Sequence, residues 1–172
     1  PRAMEQRFLC FALFEKRDGL LGRSLEGVDR DQLRKAVIAG LHNEDGRARG
    51  VFGGVYEKLS FQEIQPLLPA IYEAIIKPAP SGEMFADGIR LEGLRVMATH
   101  HVEEGIQACV DYARSQNPWA SEKRTDELMK ILCSYGARAK PAIPELNRIA
   151  DDFAKGEPDF PKTLSLQKAT AV

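Results

Sequence analysis

The residues best spaced for chemistry are His100-His101-Val102-Glu103-Glu104. His100 and Glu104 are four apart. On a helix that spacing puts an imidazole and a carboxylate on one face, as in helix-borne metal sites. The run falls at an expected junction between two helices, however, and a junction breaks such a face. The chain has 3 histidines in all, and His42 is distant in sequence. Polar junction residues are the expectation, so no metal or other cofactor is assigned; His100 and Glu104 stand as the one candidate ligand pair.

The other reactive types are no better placed. Asp151-Asp152 and Glu103-Glu104 are adjacent carboxylates. Glycosidic chemistry needs two carboxyls about 5–9.5 Å apart across a cleft, and neighbours on a helix point different ways. The 3 cysteines, Cys10, Cys109 and Cys133, form no C-x-x-C pair. A disulfide framework or thiolate zinc site is therefore not expected. Cys109 and Cys133 fall inside apolar helical patterns and are expected to be small buried hydrophobes. No G-x-S-x-G elbow and no Ser/His/Asp order is present. The expectation is that this chain is not an enzyme.

What remains is a question of architecture. The 172 residues are 44% hydrophobic and 28% charged, with 24 Lys plus Arg against 25 Asp plus Glu and a net charge of −1. That hydrophobic content excludes a wholly disordered chain. The neutral balance argues against a nucleic-acid binder. Arg34, Lys35, Arg47 and Arg49 are mixed with acids, as on a solvated face. No apolar run approaches the roughly 20 residues of a bilayer span. The chain opens Pro1-Arg2-Ala3 without a signal-peptide pattern and reads as a piece of a longer protein. Compartment is unassigned; free cysteines lean towards the cytoplasm, and any targeting signal would lie outside this piece.

Apolar residues recur with helical period almost throughout, without strand-like alternation. Met4, Phe8, Leu9, Phe11 and Leu13 mark a first helix ending near Asp18-Gly19, followed by a loop over 20–28. Asp29, with Gln32 three residues on, starts the second helix, whose stripe is Leu33, Ala36, Val37 and Leu41. A third helix is expected from about Asp45 to Leu59. Gly46, Gly50 and Gly54 share one of its faces, each costing about 0.8–1.0 kcal/mol of helix propensity relative to Ala. Close approach of another backbone is the favoured explanation, ahead of a phosphate-cradling loop, because no Lys-Ser/Thr follows. Ser60 and Glu63 form a capping box, with Pro66 and Pro69 interrupting the start of the fourth helix. The 78–88 segment is long for a helix connection and contains Met84 and Phe85, which makes it a candidate binding loop. Leu91, Leu94, Met97, Ala98 and His101 mark the fifth helix, and Val102, Ile106, Cys109, Val110 and Ala113 the sixth. The seventh starts at Ser121 and buries Leu128, Ile131, Leu132 and Tyr135, with Gly136 as its left-handed stop. Ile143, Leu146, Ala150 and Phe153 mark the eighth. Trp119, after Pro118, is either a contact anchor or a plug for the adjacent hairpin.

The eight expected helices fall into four hairpins. Leu68-Pro69-Ala70-Ile71 matches Ile143-Pro144-Glu145-Leu146 in type, Ile106 and Cys109 fall about midway, and Leu33 and Ala36 lie one period earlier. A period of about 35–40 residues with two helices per unit is the mark of a helical solenoid. A lone hairpin cannot bury both of its apolar stripes, so neighbours stack. The run 43–49 (Asn-Glu-Asp-Gly-Arg-Ala-Arg) resembles the inter-helix turn of HEAT repeats, and 136–146 is similar to the turn and second helix of bacterial HEAT-like repeats. The resemblance covers roughly Asp29 to Asp152 and extends to the helical-repeat part of large multidomain bacterial proteins.

What the resemblance implies is an all-α superhelix, a short solenoid of about four antiparallel helix pairs. Residues 1–155 would form one domain (1–28 an N-terminal cap helix and loop, 29–155 the hairpins), with 156–172 an extended or disordered tail. In that family an Asp of the turn and an Arg of the next helix tie repeats together; Asp45 and Arg49 match this pattern, and Asp87 with Arg90 match it loosely. Ser121 to Thr125 departs from it. The implied function is a non-catalytic scaffold or protein-interaction module, binding a protein partner or neighbouring domains of the same chain through its concave face. Helix phase nominates Gln65, Tyr72, Glu73, Gln107, Asp111, Arg114, Asn147 and Arg148 as contacts, with Trp119 beside them. The alternative is an accessory domain of an enzyme, or a carbohydrate- or small-ligand-binding module using the 78–88 loop and Trp119.

Overall fold

The computed structural model describes residues 3–116 and 122–156. Among these the chain is all-α, and its only β-type pairing is an isolated bridge between Asp45 and Ser81. It divides into two compact units, Pro1–Val96 and Met97–Val172, with the division inside one helix.

The first unit holds helices α1 (Ala3–Phe14), α2 (Leu20–Arg23), α3 (Arg30–Leu41), α4 (Gly46–Gly50), α5 (Gly53–Tyr56), α6 (Phe61–Ile64) and α7 (Leu68–Ile76), then most of α8 (Asp87–Thr99). Helix α1 stops at Phe14, short of Asp18. The Glu15 carboxylate accepts the amides of Arg17 and Asp18 at 2.9 and 2.7 Å and so turns the chain. The 20–28 stretch is not all loop: it contains α2, and Leu25 is buried. Of the α1 apolar residues, Phe14 is buried against Phe52, with ring centroids 4.5 Å apart, while Met4, Phe8, Leu9 and Phe11 are exposed. Helix α3 begins as expected, with the Asp29 carboxylate accepting the amides of Asp31 and Gln32, both at 2.9 Å. It buries Leu33, Val37 and Leu41.

The expected 45–59 helix is two short helices, α4 and α5, separated by a turn at Val51–Phe52. Glycine-rich sequence makes a continuous helix costly, and the turn drives Phe52 inward until its ring occupies the space a Cβ on Gly40 would need. The glycine face does receive other groups. A Cβ on Gly46 would overlap the Gly82 carbonyl oxygen, and one on Gly50 would lie 3.0 Å from that of Phe85, while Lys16 covers Gly54. The 78–88 loop is thus docked on α4 by its backbone: the Gly46 amide donates to Ser81 O at 2.7 Å, and the Ser81 amide to Glu44 O at 3.0 Å.

Ser60 and Glu63 make a reciprocal capping box on α6. Gln65–Leu67 is a 3-10 turn that leads into α7, where Pro69 sits in the first turn without losing a helical hydrogen bond. Ile64, Leu67, Ile71 and Ile75 are buried, as are Ile89, Leu91 and Leu94 of α8.

The second unit holds the end of α8, then α9 (Glu104–Arg114), α10 (Glu122–Ser134) and α11 (Ile143–Gly156). Met97, Ala98, Cys109, Val110, Leu128, Ile131, Leu132, Tyr135, Leu146 and Ala150 form its core, with Met129 and Ile149 added. His101 does not share the α8 apolar face. It is exposed at φ 53°, a left-handed connection that ends α8 and starts α9. Gly136 has φ 58°, the conformation expected of it. Cys133 is exposed rather than buried, because the α10 stripe passes through Leu132 and Tyr135 and leaves residue 133 outside. Among the described residues no helix is long and apolar enough to cross a membrane.

A candidate recognition strip on α9 and α11

Four of the nominated contact residues converge in the second unit. Helix α11 packs against α9, and the outer edges of the two helices meet in one chain of polar contacts. Gln107 Nε2 donates to Asp111 Oδ1 at 3.0 Å, and Arg114 Nη1 donates to the same oxygen at 3.2 Å. Arg114 Nη2 donates to Glu145 Oε1, and Arg148 Nη1 donates to Glu145 Oε2. The intrahelical members are three or four apart, where side chains on a helix face each other. The Glu145 carboxylate holds the Arg114 guanidinium above the ordinary arginine range. The guanidinium side chains of Arg114 and Arg148 are 53% and 69% exposed, so both remain open to solvent. Exposed ion pairs add little to stability; what these do is bring two guanidinium groups onto one carboxylate. Asn147 is exposed on α11. Glu145, the hub, was not nominated from sequence; its place three residues before Arg148 was the available signal.

The other nominated residues lie apart from this strip. Gln65 is exposed and Tyr72 half-buried, both in the first unit. Glu73 accepts from Lys77 Nζ at 2.8 Å and lies 3.3 Å from His42 Nε2. These three side chains, Leu41 and Arg49 line a cavity of about 280 Å³. Trp119 and Ser121 lie outside the described residues, as does the 157–172 part of the expected tail.

Asp45 and Arg49 are both buried but serve different partners. The Asp45 carboxylate accepts from Arg7 Nε at 2.6 Å and from the Arg47 amide at 2.9 Å, tying α1 to the start of α4. The Arg49 guanidinium donates to Asn43 O, and to Lys77 O at 3.0 Å, closing the C-terminal ends of α3 and α7. Arg90 repeats that role, donating to Ile75 O at 3.1 Å and pairing with Glu83; Asp87 Oδ1 lies 3.8 Å from it. Burial lowers the Arg49 pKa, and carbonyl contacts offset part of that cost.

His100 is at the end of α8 and Glu104 opens α9, so the two do not share one helix face. Among the described residues no three His, Cys, Asp or Glu side chains gather as a metal ion requires. Burial pushes the Cys109 thiol up to about 12, which keeps it protonated at neutral pH.

A second cavity, of about 400 Å³, lies in the first unit between Phe11 of α1, the α4–α5 turn and Phe85 of the 78–88 loop. Its remaining lining is Glu15, Lys16, Arg47, Gly50, Val51, Gly54 and Glu92. The Arg47 guanidinium lies over the Phe85 ring, 4.2 Å from its centre. Compared with known proteins, the chain matches no family model, no curated protein and no solved structure.

Proposed function

We propose that this chain is a non-catalytic helical-repeat module of the HEAT-like kind, which binds another protein or a neighbouring domain through the α9–α11 strip. The observation that carries the reading is the strip itself. Gln107, Asp111, Arg114 and Arg148, nominated from the resemblance and helix phase, meet through Glu145 in one exposed array. Pre-positioned arginines lose less freedom on binding than loose ones, and arginine is enriched where interfaces concentrate their energy. The non-catalytic part of the reading draws on the protonated Cys109 thiol and on the separation of His100 from Glu104.

The test is affinity capture with matched charge reversals. Arg114→Glu combined with Arg148→Glu should abolish retention of a partner that the unaltered chain holds. Lys35→Glu combined with Lys130→Glu, on exposed faces elsewhere, should retain it. Far-UV circular dichroism checks that both variants stay helical. Equal retention by the two double variants would remove the strip from the proposal.

A further inference from the structure

We infer that the cavity between Phe11, the α4–α5 turn and Phe85 is a binding site for a small apolar or aromatic carboxylate. Its volume, about 400 Å³, is within the range of small-molecule pockets. The walls are aromatic and aliphatic, supplied by Phe11, Phe85 and Val51, while Gly50 and Gly54 line it without side chains. That combination receives a flat or branched hydrocarbon body.

The charged groups decide which end-group such a body must carry. Four of them line the cavity: two are bound to groups outside it, and a third, Glu92, is balanced by Lys16. Lys16 Nζ is bound to the Glu57 carboxylate at 2.8 Å. The Glu15 carboxylate accepts two backbone amides. The Glu92 carboxylate lies against Gly53, and its charge acts on the Lys16 ammonium of the same wall. Arg47 is different. Its guanidinium rests on the Phe85 ring and approaches Asp45 only at 3.9 Å, and that carboxylate is already held by Arg7. A guanidinium laid on an aromatic face keeps its in-plane N–H donors for another acceptor, and a carboxylate matches their fork geometry. The carboxylate would therefore sit on Arg47, and the apolar body would lie between Phe11 and Phe85. This site is independent of the α9–α11 strip.

The experiment is titration of the full chain with three probes of similar shape: benzoate, benzyl alcohol and benzylamine. Binding is read from amide NMR shifts of Arg47, Gly50, Val51 and Gly54. Benzoate is expected to bind about tenfold more tightly than benzyl alcohol, with benzylamine weakest. Arg47→Gln should cost benzoate about tenfold and leave benzyl alcohol unchanged. The α4 cap hydrogen bond is made by the Arg47 backbone amide, so this variant keeps it. Phe85→Ala should weaken both probes. Absence of benzoate-dependent shifts at Gly50 and Gly54, undiminished benzoate binding by Arg47→Gln, or preference for benzylamine would each overturn the inference.

Discussion

Replacing Gly46 with alanine should destabilise the chain by about 1–3 kcal/mol, although alanine is the better helix former. The new Cβ would overlap the Gly82 carbonyl oxygen, with the carbonyl carbon 2.9 Å away and Ala79 Cβ at 3.4 Å. Backbone cannot swing aside as a side-chain tip can. The loop must back off, straining the bonds from Gly46 N to Ser81 O and from Ser81 N to Glu44 O. Each is worth about 1 kcal/mol net. Against this stands a propensity gain of at most about 1 kcal/mol. Gly88 supplies the control. It is also helical, but a Cβ there meets nothing within 4 Å, so Gly88→Ala should stabilise by up to about 1 kcal/mol. Urea unfolding of both variants measures the difference. At this chain length each kcal/mol also moves Tm by about 2–4 °C. If Gly46→Ala matched or exceeded the stability of the unaltered chain, the docking of the 78–88 backbone on α4 would be refuted.

Tyr56→Phe should leave stability unchanged or raise it by up to about 1–2 kcal/mol in the same unfolding assay, because the buried Tyr56 hydroxyl has no hydrogen-bond partner among the described residues. Stability should fall as pH drops below 4.5. The carboxyls of Glu63 and Glu73 are held below that ordinary value, by the Ser60 amide and the Lys77 ammonium respectively, so their contribution is present above it and lost as they protonate. Glu63→Gln should flatten that decline in a urea-midpoint series against pH. Under native conditions a disulfide reagent should modify exposed Cys133 first and spare Cys109, whose burial keeps it a thiol; mass spectrometry of the labelled chain reads the order.

Local features are the most legible in the sequence. The Asp29 cap, the Ser60–Glu63 box, left-handed Gly136 and the close approach at Gly46 and Gly50 each depend on a few adjacent residues. Longer-range choices were not legible. A periodic pattern cannot show that 45–59 breaks so that Phe52 can reach Gly40, because that contact joins two elements. Periodicity likewise marked Phe8 and Phe11 as apolar without showing that they are exposed. The resemblance implied that Asp45 and Arg49 tie elements together, but it did not name their partners: Arg7 and the Lys77 carbonyl lie in distant segments, and the Asn43 carbonyl lies six residues before Arg49. The strip was half visible: phase placed Gln107, Asp111, Arg114 and Arg148 outward, whereas their meeting through Glu145 required the packing of α11 on α9.

Hydrogen exchange on the chain with and without a captured partner would place the contact surface most directly. Slowed exchange concentrated in Gln107–Arg114 and Glu145–Asp152, and lost in the Arg114→Glu, Arg148→Glu double variant, is the expected result. Slowing confined to other segments, with α9 and α11 exchanging as in the free chain, would contradict recognition through this face.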